Sequence, residues 1–390
     1  MTEKTGTTGT TETTGTTGTT ETTETTGTTE TTETTGTTET TETTGTTGTT
    51  GTTGTTGTTD TTGTTDKYDV VVVGGGAAGL SAALVLGRAR RRTLVVDAGE
   101  PRNAPSAHMH GFLSRDGMSP AGFLAAGREE IARYGVGLVR DRAVDAVRDA
   151  AGEFDVALAG GRTVHARHLV VATGLRDELP AVPGVAERFG RDVLHCPYCH
   201  GWEVRDRAFG VLATSPLSVH QALMVTQWSE DVTLFLHRVG EAELSDDDLR
   251  RLAAAGVHVV PGEVAGLVVE DDRLSGVRLA GGTPSGGGTT HAREVLFVAP
   301  RALPRTDLLR GLGAELRETP FGTYPVIDER GLTTVPGLWA AGNAGGFAEQ
   351  VINAASRGYR AGAAINGELL FTDLDAAVAA QSTAHSTARR

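Results

Sequence analysis

The sequence predicts an α/β fold with two Rossmann-like dinucleotide-binding domains that follow a disordered N-terminal tail. Three observations support this prediction. A strict three-residue repeat fills the first 66 residues. Apolar strands and a helix then alternate around a glycine cluster at 68–97, and a second alternation of the same kind runs over 209–236. Short apolar runs separated by helices are typical of buried parallel sheets.

The N-terminal tail, residues 1–66, has Gly, Glu or Asp at every third position from Gly6 and Thr between them. It offers no large apolar side chain after Met1 to offset the entropy of ordering, so we predict that it is disordered. Ten acidic residues and one lysine give it −9 of the net charge of −13, which leaves −4 for the rest of the chain. This mildly acidic remainder gives no reason to expect a nucleic-acid or membrane partner.

The first glycine cluster, Gly74 to Gly79, matches the G-x-G-x-x-G pattern. An apolar run, Tyr68–Val73, precedes it, and a helix and a strand that ends in Asp97 follow. The first glycine permits a tight turn, the second lets the backbone approach a pyrophosphate, and the third allows close packing of helix on strand. Asp97 can accept a hydrogen bond from a ribose hydroxyl, and the helix N-terminus favours phosphate. The residues assigned to a dinucleotide here are Gly74, Gly76, Ala77, Ala78, Gly79 and Asp97.

The two cysteines, Cys196 and Cys199, have Cys-x-x-Cys spacing, for which three interpretations compete. The motif Cys-x-x-Cys-His also attaches c-type haem, but that requires export, and the polar repeat at the N-terminus is not a signal segment. A structural zinc site usually needs a second ligand pair, and the chain has no other cysteine, so we predict no metal. A redox-active pair in a reducing compartment fits best, which predicts a cytoplasmic protein.

Two further segments resemble those of two-dinucleotide flavoproteins. Leu169–Gly174 is similar to their A-T-G strand and turn, and Thr334–Asn343 is similar to the segment along the FAD ribityl chain, although that family usually has Asp at position 343. A helix that begins near Glu349 would point its N-terminus at the flavin. The resemblance implies FAD as the cofactor and a three-layer ββα domain divided between 67–182 and 303–370, with 371–390 as a C-terminal tail. It adds to the cofactor site Ala172, Thr173, Gly174, Gly342, Asn343, Gln350 and Val351.

The position of the cysteine pair between these segments resembles that in low-molecular-weight thioredoxin reductases, and the resemblance covers 67–370. It implies that Cys199 faces the flavin and that Cys196 exchanges with substrate. His200 stands where those reductases have an Asp acid–base, and an ordinary histidine pKa near 6.5 suits thiol deprotonation. His108 and His110 either line the substrate side of the flavin or are solvated loop residues.

The second domain, 183–302, has the strand–helix–strand order of a Rossmann unit but lacks its glycines. Its first turn is Ala213-Thr214-Ser215-Pro216-Leu217-Ser218, where side chains block a pyrophosphate and Pro216 removes an amide donor. The resembling thioredoxin reductases have a more basic cluster here for a 2′-phosphate, and His237 and Arg238 are either its remnant or ordinary surface residues. We therefore expect this degenerate domain to have lost most of its affinity for NADPH.

The sequence resembles the dithiol-oxidase branch of the family, whose enzymes close disulfides in gliotoxin- and holomycin-like metabolites and share Cys-x-x-Cys-His-Gly. The resemblance implies oxidation of a small dithiol, with Cys196, Cys199 and His200 as catalytic residues and O2 as the acceptor that gives H2O2. One alternative is a reductase that uses NADPH or another donor and acts on a thioredoxin-like protein. The other is a non-catalytic redox-sensing flavoprotein. The family also implies a homodimer.

Overall fold

The computed structural model describes residues 66–281 and 288–388. The tail predicted to be disordered lies outside the described residues, except that Asp66 begins the first strand. The strands and helices in chain order are β1 (Asp66–Val73), α1 (Ala77–Arg88), β2 (Thr93–Val96), α2 (Pro120–Ala132), β3 (Gly137–Val139), β4 (Ala143–Arg148), β5 (Phe154–Leu158), β6 (Thr163–Val171), β7 (Leu175–Glu178), α3 (Val185–Arg188), β8 (Val193–Leu194), α4 (Pro197–His200), β9 (Phe209–Leu212), α5 (Ser218–Val225), β10 (Val232–Phe235), α6 (Asp246–Ala254), β11 (His258–Val260), β12 (Val264–Glu270), β13 (Arg273–Leu279), β14 (Thr290–Ala292), β15 (Val295–Val298), β16 (Arg301–Pro304), α7 (Asp307–Gly311), β17 (Leu316–Thr319), β18 (Gly322–Pro325), β19 (Leu338–Ala340) and α8 (Val351–Ala388).

The first sheet combines parallel strands with an antiparallel meander. Its order is β3-β2-β1-β6-β5-β4, and β19 pairs in parallel with the C-terminal half of β6. Strands β3, β2, β1, β6 and β19 are parallel, whereas β4, β5 and the start of β6 are antiparallel. Since β19 comes from the C-terminal part of the chain, the domain is built from two separate stretches of sequence.

Strand β1 explains why three layers form. Its four valines, Val70 to Val73, are all buried. Val70 and Val72 pack in the cluster that includes α1 and α8, while Val71 and Val73 pack toward the meander. Because side chains alternate along a strand, a run buried on both faces places a helix layer on one side and the meander on the other.

A second, five-stranded sheet has the order β11-β10-β9-β15-β8, and all its pairs are parallel. Apolar clusters cover both of its faces, and the three-stranded antiparallel sheet β12-β13-β14 lies beside one of them. This is the predicted Rossmann-like arrangement of the second domain. The α/β fold predicted from the sequence is therefore confirmed.

The C-terminal helix α8 continues through most of the predicted tail at 371–390, as far as Ala388. Its later half is rich in alanine, the strongest helix former. Asp373 also anchors it, since its carboxylate lies 2.8 Å from Arg91 Nη1 and 2.7 Å from Arg167 Nη2. No helix within the described ranges is both long and apolar enough to cross a bilayer.

Candidate functional site

The three motif glycines of the turn after β1 differ in how much space surrounds them. Gly74 has φ +112°, and a Cβ there would lie 2.3 Å from the carbonyl oxygen of Ala172. A Cβ on Gly79 would lie 1.8 Å from the Gly74 carbonyl oxygen, so this glycine permits helix α1 to pack on the turn. A Cβ on Gly76 would meet no atom within 4 Å. Two glycines are therefore required by the fold, and Gly76 leaves open space beside the N-terminus of α1.

Asp97 is held beside this turn. The amide of Gly75 donates to its Oδ1 at 3.1 Å. Arg140 Nη1 lies 3.4 Å and Arg128 Nη2 lies 3.8 Å from its Oδ2. The carboxylate is thus fixed at the end of β2, next to the turn, where the sequence predicted a ribose acceptor.

A single cleft of about 2100 Å³ runs from the glycine turn to the cysteine pair. The predicted cofactor residues that line it are Gly74, Gly76, Ala77, Ala78, Asp97, Ala172, Thr173, Gly174, Gly342, Asn343, Gln350 and Val351. Gly79, the remaining one, faces the turn instead. Thr173 closes one wall, because its Oγ1 donates to the carbonyl oxygen of Arg305 at 2.7 Å.

Asn343 lines the cleft from the 3-10 turn Gly342–Ala344 before α8. Its Nδ2 donates to the carbonyl oxygens of Gly346 at 3.2 Å and Phe347 at 2.7 Å. An aspartate cannot donate either bond, which gives a local reason for the unusual Asn. The carboxamide oxygen is then the part of the side chain that can accept from a ribityl hydroxyl.

Cys196 and Cys199 form a disulfide across the first turn of α4, with their Cα atoms 5.2 Å apart. Both are half-buried and line the cleft. Gly201 ends this turn against Trp228, since a Cβ there would lie 2.7 Å from the indole ring. The Cys-x-x-Cys-His-Gly motif thus packs closely on the second domain while its sulfurs face the first.

Gln350 connects the start of helix α8 with the cysteine pair. Its Nε2 lies 3.4 Å from Cys196 Sγ, and its Oε1 lies 3.3 Å from Cys199 Sγ. The sequence assigned Gln350 to the flavin edge. The structure places its side chain against the sulfurs at the N-terminus of α8.

His200 follows directly after Cys199 and is half-buried at the cleft. Its Nε2 lies 3.4 Å from Ser106 Oγ of the first domain. Burial lowers the pKa of His200 below its ordinary 6.5, although the nearby Glu203 carboxylate opposes the shift. His200 is therefore neutral at pH 7 and can accept a proton.

His110 lies in a second polar contact between the two domains. Its Nε2 is 3.3 Å from Glu203 Oε2, and its Nδ1 is 3.4 Å from Asp116 Oδ2. His108 and His110 both line the cleft that contains the sulfurs. His110 thus links Glu203, whose charge acts on His200, to the exposed Asp116.

The backbone amides of the turn after β9 donate hydrogen bonds within the turn itself. Thr214 N donates to Ser218 Oγ at 3.1 Å, Ser218 N to the Ser215 carbonyl at 2.9 Å, and Val219 N to the Pro216 carbonyl at 3.2 Å. In a phosphate-binding turn such amides point at the ligand. Here they stabilise the turn itself.

The side chains of His237 and Arg238 also form hydrogen bonds within the protein. His237 Nδ1 accepts from the amide of Val264 at 3.1 Å. Arg238 Nε and Nη2 donate to Glu263 Oε2 at 3.0 and 2.7 Å. A 2′-phosphate at this position would have to displace both contacts.

The residues of the cleft fit a flavin dinucleotide. Gly76 leaves room for a pyrophosphate at a helix N-terminus, and Asp97 holds a carboxylate acceptor beside the same turn. Asn343 offers a further acceptor in the same cleft, which the disulfide also lines. A bound flavin would carry electron pairs to and from the cysteine pair.

Sequence reasoning did not identify Ser106, Glu203 or the sulfur contacts of Gln350. Ser106 and His200 are 94 positions apart, and Cys196 and Gln350 are 154 apart. Glu203 follows the Cys-x-x-Cys-His-Gly motif closely, so its position was the one available signal.

The comparisons with known proteins agree with this geometry. The family model described as pyridine nucleotide-disulphide oxidoreductase matches residues 68–358. The chain is 32% identical over 326 residues to the thioredoxin reductase sirT of Leptosphaeria maculans, covering 79% of this chain and 96% of that protein. It is 30% identical over 321 residues to the thioredoxin reductase aclD of Aspergillus oryzae, covering 78% and 98%.

Solved structures show the same relationship. The crystal structure of HlmI is 51% identical, with a TM-score of 0.76, and covers 81% of this chain and 96% of its own. An oxidoreductase from Agrobacterium tumefaciens is 40% identical, with a TM-score of 0.71, over 78% and 99%. The predicted thioredoxin-reductase-like relationship is confirmed: this chain is a flavin-dependent oxidoreductase that belongs to the pyridine nucleotide-disulphide oxidoreductase family.

Proposed function

We propose that this enzyme is an FAD-dependent dithiol oxidase, which forms a disulfide in a small dithiol and passes the electrons to O2 as H2O2. One observation carries the proposal. The disulfide faces the cleft that fits the flavin dinucleotide. In the turn after β9, by contrast, backbone amides donate hydrogen bonds to acceptors of the turn itself and not to a ligand. Electrons can then enter through the sulfurs and do not require NADPH.

The sulfur chemistry consists of two exchanges. A substrate thiolate attacks Cys196 Sγ, so that a mixed disulfide forms, the Cys196–Cys199 bond breaks, and Cys199 leaves as a thiolate. The second substrate thiol, once deprotonated, attacks the substrate sulfur of the mixed disulfide. The cyclic disulfide is released and Cys196 leaves as a thiolate. A bound FAD would supply the acceptor for the electron pair of the two cysteines and its transfer to O2, so that overall dithiol plus O2 would give disulfide plus H2O2.

His200 accepts the protons that these steps release. It is neutral because burial lowers its pKa, and it follows directly after Cys199. Ser106 Oγ, 3.4 Å from its Nε2, orients the ring. His200 holds one proton at a time and passes each on before it accepts the next, and the two protons together supply the hydrogens of the peroxide.

The entrance of the cleft supports a small apolar dithiol as the substrate. Tyr198 and Trp202 are 71% and 64% exposed beside the cysteine pair, and Leu217 is 58% exposed on the degenerate turn. Tyr198 and Leu217 line the same cleft as the sulfurs. We extend the proposal to a cytoplasmic homodimer that requires neither nucleic acid nor a membrane as a partner.

The test is anaerobic reduction of the bound flavin by a small dithiol such as dithiothreitol, followed as the loss of flavin absorbance. The wild type should be reduced. Cys199→Ser should keep its FAD and lose this reduction, because no electron pair reaches the flavin without the Cys199 thiolate. Unchanged reduction in Cys199→Ser would refute the assignment.

The alternative is a reductase that acts on a thioredoxin-like protein, and the names of the curated relatives favour it. Steady NADPH oxidation in the presence of a disulfide substrate would support the alternative. A redox-sensing flavoprotein would show neither that oxidation nor sustained turnover of a dithiol.

A further inference from the structure

The carboxamide of Gln350 touches both atoms of the redox disulfide. Its Nε2 is 3.4 Å from Cys196 Sγ, and its Oε1 is 3.3 Å from Cys199 Sγ. The carbonyl oxygen of Gln350 accepts from the amide of Ala354 at 2.8 Å, so Gln350 caps the N-terminus of the 38-residue helix α8. This cap position fixes the base of the side chain next to the sulfurs.

The chemistry of an amide suits a sulfur pair that exchanges charge. A carboxamide has two N–H donors and one acceptor oxygen. A thiolate needs a donor, and a thiol can use an acceptor. The two contacts differ by only 0.1 Å (3.4 against 3.3 Å), so a half-turn about the terminal torsion exchanges donor and acceptor with little other movement.

We propose that Gln350 is a catalytic residue whose amide N–H binds whichever cysteine sulfur carries the negative charge. When substrate attacks Cys196 Sγ, the amide donates to the Cys199 thiolate that leaves. When the mixed disulfide is resolved, it turns and donates to the Cys196 thiolate. The positive end of the α8 dipole acts in the same direction on both sulfurs.

This inference rests on the thiol–disulfide exchange of the proposed function, but it holds whether the exchange oxidises or reduces the substrate. Its test can therefore be separated from the test of the oxidase. The quantity to measure is the thiolate pKa of the cysteines in the reduced, flavin-loaded enzyme. Iodoacetamide alkylation followed across pH by mass spectrometry of the two cysteines gives that pKa.

The central variant is Gln350→Met, which keeps the length of the side chain and removes the donor. A hydrogen bond to a charged group corresponds to about one pKa unit or more, so the lower cysteine pKa should rise by about one unit. Alkylation at a pH below that pKa should slow roughly tenfold. Gln350→Glu should raise the pKa further, because its carboxylate repels a thiolate. Ile352→Met, within the first turn of α8, is the matched control and should keep the wild-type profile.

Two results would overturn the proposal. The first is an unchanged cysteine pKa in Gln350→Met, and if flavin absorbance is lost at the same time, Gln350 is a cofactor contact only. The second is an equal shift in Ile352→Met, which would assign the effect to helix packing. If the pKa shifts as expected but dithiol drives no oxygen uptake in the wild type, the oxidase fails and the role of Gln350 stands.

Discussion

Substitution of Gly76 by alanine separates cofactor binding from folding. The backbone of Gly76 is extended, with φ −82° and ψ −172°, which alanine adopts without strain. The added Cβ meets no protein atom within 4 Å. The protein without flavin should therefore be as stable as the wild type, or more stable by about 0.4–1 kcal/mol because the unfolded chain loses freedom.

The same methyl group would occupy the space that a pyrophosphate needs to reach the amides of the turn. Loss of one hydrogen bond to a charged group costs about 1.5–3 kcal/mol. The dissociation constant of FAD should then rise by roughly 10- to 150-fold. The assay is titration of deflavinated protein with FAD, together with thermal unfolding of both proteins without FAD.

Gly79→Ala is the matched control, because its Cβ would lie 1.8 Å from the Gly74 carbonyl oxygen. This variant should unfold at a clearly lower temperature even without flavin. The reasoning is refuted if Gly76→Ala binds FAD as tightly as the wild type. It is refuted equally if Gly76→Ala loses as much thermal stability as Gly79→Ala.

Two further substitutions test the proton acceptor, His200, and a residue that lines the cleft, Asn343. His200→Gln should slow anaerobic flavin reduction by dithiol by about 100-fold. Both proteins should slow gradually at lower pH as the substrate thiol becomes protonated. Because burial lowers the pKa of His200, the wild-type rate should show a further fall as the pH drops through a value below 6.5, and a stopped-flow pH profile of the variant should lack that second limb. Asn343→Asp should lower the free energy of unfolding by about 1–3 kcal/mol, because a carboxylate would face the carbonyl oxygens of Gly346 and Phe347. Denaturant unfolding measures this loss, and an unchanged midpoint would contradict the local explanation for Asn343.

The sequence predicted the parts of the site that depend on local geometry. Gly74 and Gly79 are fixed by contacts within a single strand–turn–helix unit, and a one-turn spacing is sufficient to join Cys196 to Cys199. The degenerate second turn was visible for the same reason. Its side chains and Pro216 lie within six consecutive residues.

The parts that the sequence did not predict depend on how distant segments meet. Gln350 reaches the sulfurs because α8 begins opposite α4, and no local pattern carries that information. His110 and Glu203 come from different domains. The length of α8 was missed because its anchor, Asp373, pairs with Arg91 and Arg167, which are more than 200 positions away.

Oxygen uptake by the purified flavoprotein is the most direct test of the central claim, that electrons enter through the cysteine pair from a dithiol. Parallel samples should contain a small dithiol without any nicotinamide, and NADPH without dithiol. Rapid oxygen consumption with equimolar H2O2 in the dithiol sample alone is the predicted result. Flavin reduction or oxygen uptake driven by NADPH, with none from the dithiol, would contradict the claim and show that the Ala213–Ser218 turn still serves a nucleotide.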